Sequence, residues 1–410
     1  MKIVVQKFGG TSVRDESART QAIKHIQAAK DEGYKVVVVV SAMGRLPDPY
    51  ATDALLTLVD YPNHAISNRE YDLLLSCGEV LSAVVFSNQL KKSGVSSTAL
   101  TGVQAGFITT NDFTQAKIVE MDTTRLVREL ETVDVVVVTG FQGQTREGDI
   151  TTLGRGGSDT SAAALGASLN ADYVDIFTDV DGIKTADPRI VPGARTLDVV
   201  TYNEIVNLAY QGAKVVHPRA VEIAMQGKVP LRVRSTHATD VGTLVTGAID
   251  QALGRDINDR LITGIAHITG IAQIKIETDS DIETLHADVF GALADAGISV
   301  DFINMFPGGL RFTVPDLLSD KAIHIIQALG YYPVKTTHCA KVSVVGAGMT
   351  GVPGVTARIV RSLKKKKIDI LQSADSHTTI WVLVKESDVC EAVNALHDAF
   401  ELTEKSWLQH

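Results

Sequence analysis

Valine decides the architecture. Val36–Val40 is an unbroken apolar run, and Val133–Thr139 is nearly one. Both are of strand length and neither alternates with polar residues, so each predicts a strand buried on both faces. Ile3–Gln6, Ser97–Leu100, Tyr173–Thr178 and Leu231–Ser235 read the same way. Between them the spacing predicts helices over Asp15–Glu32, Glu70–Ser93, Lys117–Leu130, Thr160–Asn170 and Tyr202–Gln226. Strands that alternate with helices in this way give an α/β fold, with a mainly parallel sheet covered by helices on both faces.

The pattern changes after residue 245. Residues 246–263 are polar and read as a linker that closes a first domain, 1–245. Two similar units succeed it, at 264–337 and 338–410. In the first, Ile274–Glu277 and Ser299–Met305 are strands around a helix, Ile282–Ala296. In the second, Lys341–Val345, Ile368–Ser373 and Thr378–Lys385 are strands, with helices over Val355–Lys366 and Asp388–Phe400. Two βαββαβ-like units fit, and a tandem pair of this size points to regulation, with a purely structural pair as the alternative.

With 410 residues, 45% of them hydrophobic, the chain can bury several cores. Its net charge of −9 gives it no general attraction for nucleic acid or an anionic membrane. Three widely spaced cysteines, Cys77, Cys339 and Cys390, form no zinc motif and fit a reducing compartment. Met1–Lys7 runs straight into a strand, which leaves no room for a signal peptide. The apolar runs are too short to span a bilayer, so the expected location is the cytoplasm.

Four segments carry the chemistry. Lys7-Phe8-Gly9-Gly10-Thr11-Ser12 ends the first strand in a glycine turn with one cation. Such a turn aims backbone N–H groups at phosphate oxygens while the lysine supplies charge. Gly154-Arg155-Gly156-Gly157-Ser158-Asp159 opens a helix of small residues, whose N-terminus favours anions. Arg155 adds a fork that fits a carboxylate or a phosphate, while Ser158 and Asp159 read as caps. Phe177-Thr178-Asp179-Val180-Asp181-Gly182 and Gly212-Ala213-Lys214-Val215-Val216-His217-Pro218-Arg219 complete the set. His217 reads as a packed loop histidine. Glu79, after Ser76-Cys77-Gly78, reads as a carboxylate near a helix N-terminus. Gly346-Ala347-Gly348-Met349-Thr350-Gly351 fits a dinucleotide fingerprint, but too little chain lies beyond it and Pro353 interrupts the turn.

Taken together, these segments resemble the aspartate kinases of the amino acid kinase family, including those sensitive to diaminopimelate. The resemblance spans essentially the whole chain, and its two C-terminal units look like ferredoxin-like ACT domains. It implies a three-layer αβα amino acid kinase fold. It also implies transfer of a phosphoryl group from ATP, carried with Mg²⁺, to L-aspartate, with no metal site of the protein's own. Lys7, Lys214, Arg155 and Asp179 would be catalytic. Lys7, Phe8, Gly9, Gly10, Ser41, Thr178, Asp179, Ile183, Lys184, Thr185, Asp187, Pro188, Arg189, Lys214 and Val215 would line the nucleotide. Thr52, Glu79, Arg125, Arg155, Gly156, Gly157 and Ser158 would hold aspartate. Ser299, Val300, Asp301, Asn304, Val355, Thr356, Asp369, Ile370, Ser376 and His377 would contact a feedback amino acid, meso-diaminopimelate, with lysine and threonine as alternatives. A homodimer through the ACT units is implied, or a tetramer that includes a C-terminal fragment. Two rivals stand beside this reading: another amino acid kinase, and a catalytically silent amino-acid sensor.

Overall fold

The computed structural model describes residues 1–213, 215–247, 261–278, 282–347, 349 and 351–403. Lys214 and most of the 246–263 linker lie outside the described residues. The chain forms two compact units. The first takes in residues 1–183, 196–209 and 215–247. The second takes in Lys184–Arg195, Tyr210–Ala213 and the described chain from 261 on.

The first unit holds strands β1 (Ile3–Phe8), β2 (Lys35–Val40), β3 (Ser97–Leu100), β4 (Phe107–Thr109), β5 (Ile118–Met121), β6 (Val135–Thr139), β7 (Gln142–Gln144), β8 (Ile150–Thr152), β9 (Val174–Thr178), β10 (Val199–Thr201), β11 (Leu231–Ser235) and β12 (Thr243–Thr246). Its helices are α1 (Gly10–Val13), α2 (Glu16–Asp31), α3 (Thr52–Thr57), α4 (Asn68–Lys92), α5 (Thr124–Thr132), α6 (Gly157–Ser168), α7 (Tyr202–Tyr210) and α8 (Pro218–Gln226).

Eight strands form the main sheet in the order β10-β12-β11-β9-β1-β2-β6-β3. From β11 to β3 every neighbouring pair is parallel; β12 runs against β11. The valine runs are central strands, and every residue of Val36–Val40 and Val135–Val138 is fully buried. Val4, Val36, Val38 and Val40 face one core with Ile23 and Ile26 of α2 and Phe86 and Leu90 of α4. The opposite face is covered by α6, whose small side chains let it lie close to β1 and β9. A second, four-stranded sheet, β5-β4-β7-β8, sits at the C-terminal side of β6.

Two predicted helices differ. Lys117–Leu130 is a strand, β5, followed by the shorter α5, because Ile118, Glu120 and Met121 pair with β4 before the chain turns at Asp122. Tyr202–Gln226 is two helices, α7 and α8. His217 caps α8, its ring accepting from the Arg219 N–H, and Pro218 occupies the first turn. Helix α4 is long and apolar enough to cross a membrane by length and composition alone. Here it is a core helix, with Leu75, Phe86 and Leu90 buried.

The second unit has strands β13 (Gly264–Glu277), β14 (Asp301–Phe306), β15 (Gly309–Pro315), β16 (Val334–Val345), β17 (Gln372–Asp375) and β18 (Thr379–Lys385). Its helices are α9 (Ile282–Asp295), α10 (Ser319–Ala328), α11 (Val355–Lys365) and α12 (Val389–Ala399). These strands join one antiparallel sheet, β14-β15-β13-β16-β18-β17. The predicted strand over Ile368–Ser373 starts later, at Gln372. The 346–351 glycine run, of which 348 and 350 lie outside the described residues, leaves an antiparallel strand, and among the described residues the next helix begins only at Val355. A dinucleotide fingerprint needs the strand–turn–helix of a parallel unit, which an antiparallel strand does not supply.

The two repeats have separate cores that do not divide at one point of the chain. Ile274 and Ile276, late in β13, pack with α9 and α10, whereas Ile265, early in the same strand, packs with α11 and α12. The 184–195 segment joins that second core through Ala186, Val191 and Ala194.

Candidate active site

Strand β1 lies between β2 and β9, with Lys7 opposite Val39 and Ile176. The chain passes from β1 to β2 on one side, while the neighbour on the other side, β9, is added only late in the chain, and ligands of open α/β sheets bind outside the carboxyl ends of strands at such a reversal of strand order. A cavity of about 1310 Å³ opens there.

Lys7 faces the cavity at the end of β1, and its ammonium lies 2.7 Å from Asp159 Oδ1 in an ion pair only 13% exposed on each side. Asp159, read from sequence as a cap, is therefore a site residue. Its other oxygen accepts from the His217 backbone N–H at 3.4 Å. The α6 N-terminus is shaped by Gly156, which adopts φ +68°. A Cβ there would lie 2.2 Å from the His217 ring, so only glycine permits this approach. Ser158 Oγ accepts a hydrogen bond from Ser41 Oγ at 2.9 Å, tying the α6 terminus to the loop after β2.

Glu79 lies in the middle of α4, 2% exposed, which corrects its reading as a residue of a helix start. Its Oε1 accepts from the Ala42 N–H at 3.0 Å, and Oε2 has no hydrogen-bond partner among the described residues. Burial pushes its pKa up to about 8, against the opposing pull of the Ala42 hydrogen bond. A buried carboxylate with one unpartnered oxygen on a cavity wall is built to receive a cation.

The cavity brings together Lys7, Gly9, Gly10, Ser41, Thr52, Glu79, Arg155, Gly156, Gly157, Ser158, Thr178 and Asp179. Residues not foreseen for it include Arg45, His64, Thr114, Lys117, Thr152, His217 and Arg219. A signal for Arg219 was present, since it closes the Lys214–Arg219 motif. Its guanidinium donates to the Leu153 and Ala116 carbonyls at 3.0 and 2.9 Å.

Other expected residues fall elsewhere. Arg125 projects from α5, 53% exposed, beside Glu129, because β5 occupies the chain that was expected to be helix. Phe8 is fully buried and stacks on Phe177 with ring centroids 4.7 Å apart, so its side chain belongs to the core. Ile183 is also buried, its N–H donating to Thr243 Oγ1 at 2.8 Å. Val215 does not line the cavity. Lys184, Thr185, Asp187, Pro188 and Arg189 belong to the second unit. There Thr185 Oγ1 is 2.9 Å from His397 Nε2, and Arg189 pairs with Asp187 at 2.6 Å, which holds the Asp187 carboxyl below its usual pKa.

In the second unit, Asp301 pairs with the buried Lys341 and accepts from the Phe302 N–H at 2.8 Å. Gln273 Nε2 donates to Gln372 Oε1 at 2.8 Å, and Gln372 in turn donates to the Phe302 carbonyl. Ser299, Asn304, Thr356, Asp369, Ser376 and His377 are exposed, whereas Val300, Val355 and Ile370 pack into the two cores.

Comparison with known proteins agrees with this geometry. The amino acid kinase family model matches residues 2–235, and an ACT domain model matches 334–398. Aspartokinase 1 of Bacillus subtilis is 60% identical over 403 residues, covering 98% of this chain and all of that one. Aspartokinase 2 of the same organism is 40% identical over 98% of each chain. Among solved structures, E. coli aspartokinase III in complex with aspartate and ADP superposes with a TM-score of 0.78 at 27% identity, covering 97% of this chain and 99% of that one. Matched in its sheet, its glycine turns and nearly its full length, the chain belongs to the amino acid kinase family and, within it, to the aspartokinases.

Proposed function

We propose that the chain transfers the γ-phosphoryl group of MgATP to the side-chain carboxylate of L-aspartate, giving 4-phospho-L-aspartate and ADP. The observation that carries this is the cavity's division of charge. Glu79 presents an unpartnered buried oxygen on one wall, while Lys7 and Arg155 bring cations to the same space. An amino acid with a second carboxylate satisfies both: its ammonium meets Glu79, and its carboxylates meet Arg155 and Ser158. Thr52, at the first turn of α3, adds a hydroxyl.

The nucleophile is already ionised near pH 7, so no general base is required. The difficulty is bringing two anions together. Lys7 is held in place by Asp159 and neutralises the phosphate side, helped by the N–H groups of the Gly9–Gly10 turn and by the α6 terminus. Magnesium carried with the nucleotide would spread the charge of its phosphates. Asp179, on the turn after β9 and accepting from Thr178 Oγ1 at 3.0 Å, is assigned to the nucleotide side of the reaction. Lys214 is proposed as a second cation.

For the second unit the proposed role is feedback inhibition, with meso-diaminopimelate as effector and lysine or threonine as alternatives. Asp301 and its counterpart region around Asp369 would receive it, in a homodimer formed through the ACT units or a tetramer that includes a C-terminal fragment. E. coli aspartokinase III has been solved in complex with lysine and aspartate, a T-state.

The test is direct. Purified protein with MgATP, L-aspartate and hydroxylamine should yield β-aspartyl hydroxamate and ADP in equal amounts, and much less with glutamate or acetylglutamate. Titration with diaminopimelate, lysine and threonine then ranks the effectors. Absence of hydroxamate would overturn the reading.

A further inference from the structure

Seven residues before Glu79, two turns back along the same face of α4, stands a second buried carboxylate, Asp72. It is fully buried, lies outside the cavity lining, and pairs with no lysine, arginine or histidine among the described residues. Its partners are neutral. Oδ2 accepts from the backbone N–H of Thr114 at 2.9 Å and of Thr152 at 2.8 Å, and Oδ1 accepts from Thr152 Oγ1 at 2.6 Å.

Both of these threonines line the cavity. Thr114 adopts φ +74°, a left-handed conformation that a β-branched residue reaches only when its surroundings enforce it. The Thr114 N–H held by Asp72 is one such constraint. Thr152 ends β8, and its chain runs through Leu153 directly into Gly154-Arg155-Gly156. The Ala116 N–H donates to the Thr152 carbonyl at 2.9 Å, so the Thr114 loop and the Arg155 turn share a single anchorage. Burial raises the Asp72 pKa while its three donors lower it.

We infer that Asp72 is a positioning residue for the amino-acid acceptor: it fixes the Thr114–Gln115 wall and the strand that delivers Arg155, without touching the substrate itself. The inference rests on the acceptor site proposed above. It concerns the acceptor first, because the strand and loop that Asp72 holds lead to Arg155, whereas the Lys7–Gly10 turn follows β1.

The experiment is steady-state kinetics on the full chain with aspartate and MgATP varied separately. Asp72→Ala leaves two buried N–H groups unpaired and should raise KM for aspartate at least about tenfold, with KM for MgATP within about twofold. Asp72→Asn should recover most of the loss, since its amide oxygen can take both N–H groups while its NH₂ donates to Thr152 Oγ1. If Asp72→Ala does not fold, Asp72→Glu replaces it: the carboxylate remains but reaches too far, and KM for aspartate should rise in the same sense. An unchanged KM for aspartate, equal rises for both substrates, or an Asn variant no better than Ala would each overturn the inference. Wild-type protein assayed alongside separates the two failures. If wild type shows no aspartate-dependent turnover, the proposed function falls; if it is active and the variants match it, only the role of Asp72 falls.

Discussion

The two units differ in where their charged groups gather. In the first, charged groups gather at strand ends around an open cavity, and one of them, Glu79, keeps an oxygen without a partner. In the second, several polar side chains close on one another, Asp301 with Lys341, Gln273 with Gln372 and Thr185 with His397, while His286 Nε2, Arg311 Nε and Trp381 Nε1 are buried without a hydrogen-bond partner among the described residues. Unsatisfied buried polarity is costly, and on a cavity wall a ligand can complete it. Satisfied polarity fixes the geometry of a core and lets it report a displacement.

The sharpest way to break this contrast is to remove a charge on each side. Lys7→Ala should lower kcat at least about 100-fold in a coupled ADP assay while the protein stays folded, since a preorganised charge contact is lost from the transition state. Near-normal kcat would remove Lys7 from the reaction.

Glu79 gives an effect of intermediate size, read through protons. Its carboxyl is neutral in the free protein below about pH 8. An incoming ammonium favours the carboxylate, so aspartate binding near pH 7 should release a proton, seen as calorimetric heats that depend on the buffer's ionisation enthalpy. Glu79→Gln should abolish that dependence. The same shift acts on stability. Between the ordinary glutamate pKa of 4.5 and about 8, the folded state holds a proton that the unfolded state has lost. Wild-type stability therefore falls as pH rises through that window. Glu79→Gln should flatten the fall, and denaturant melts at pH 5 and pH 8 measure it.

The smallest expected effect is in the second unit. Asp301 is largely exposed, so the Lys341 pair contributes modestly. Lys341→Met should shift the half-inhibitory concentration of the effector by about fivefold, equivalent to about 1 kcal/mol. An unshifted inhibition curve would take Asp301 out of the effector's path.

Much of this was legible in the sequence. Unbroken valine runs of strand length, alternating with helical segments, point to central parallel strands, and that is where they lie. The glycine turns announced Lys7, Arg155 and Ser158, which the fold brings to one cavity. What stayed hidden depends on long-range packing. Gly78 sits inside α4, where a Cβ would come 2.8 Å from the Ala42 side chain, a close approach of helix and loop that no local pattern shows. Reading Glu79 as near a helix N-terminus left Asp72, two turns earlier on the same helix, unnoticed. The helix over Lys117–Leu130 was drawn too long because the short strand Ile118–Met121, with Val119 and Glu120 exposed, lacks a clean alternation, and nothing local shows that Arg125 faces solvent on α5. Lys184–Arg195 reads as a continuation of the nucleotide loop, and nothing local shows that Ala186 and Val191 seek a core built some 150 residues later.

The shared strand β13 has a practical consequence. Its opening residues complete one repeat and its closing residues the other, so neither repeat is an exchangeable cassette. A chain cut at Thr263 would not simply lose its brake: it would strip Ala186, Val191 and Ala194 of their surroundings and leave a greasy loop in water. Anyone seeking a deregulated enzyme should edit single side chains and leave the backbone whole.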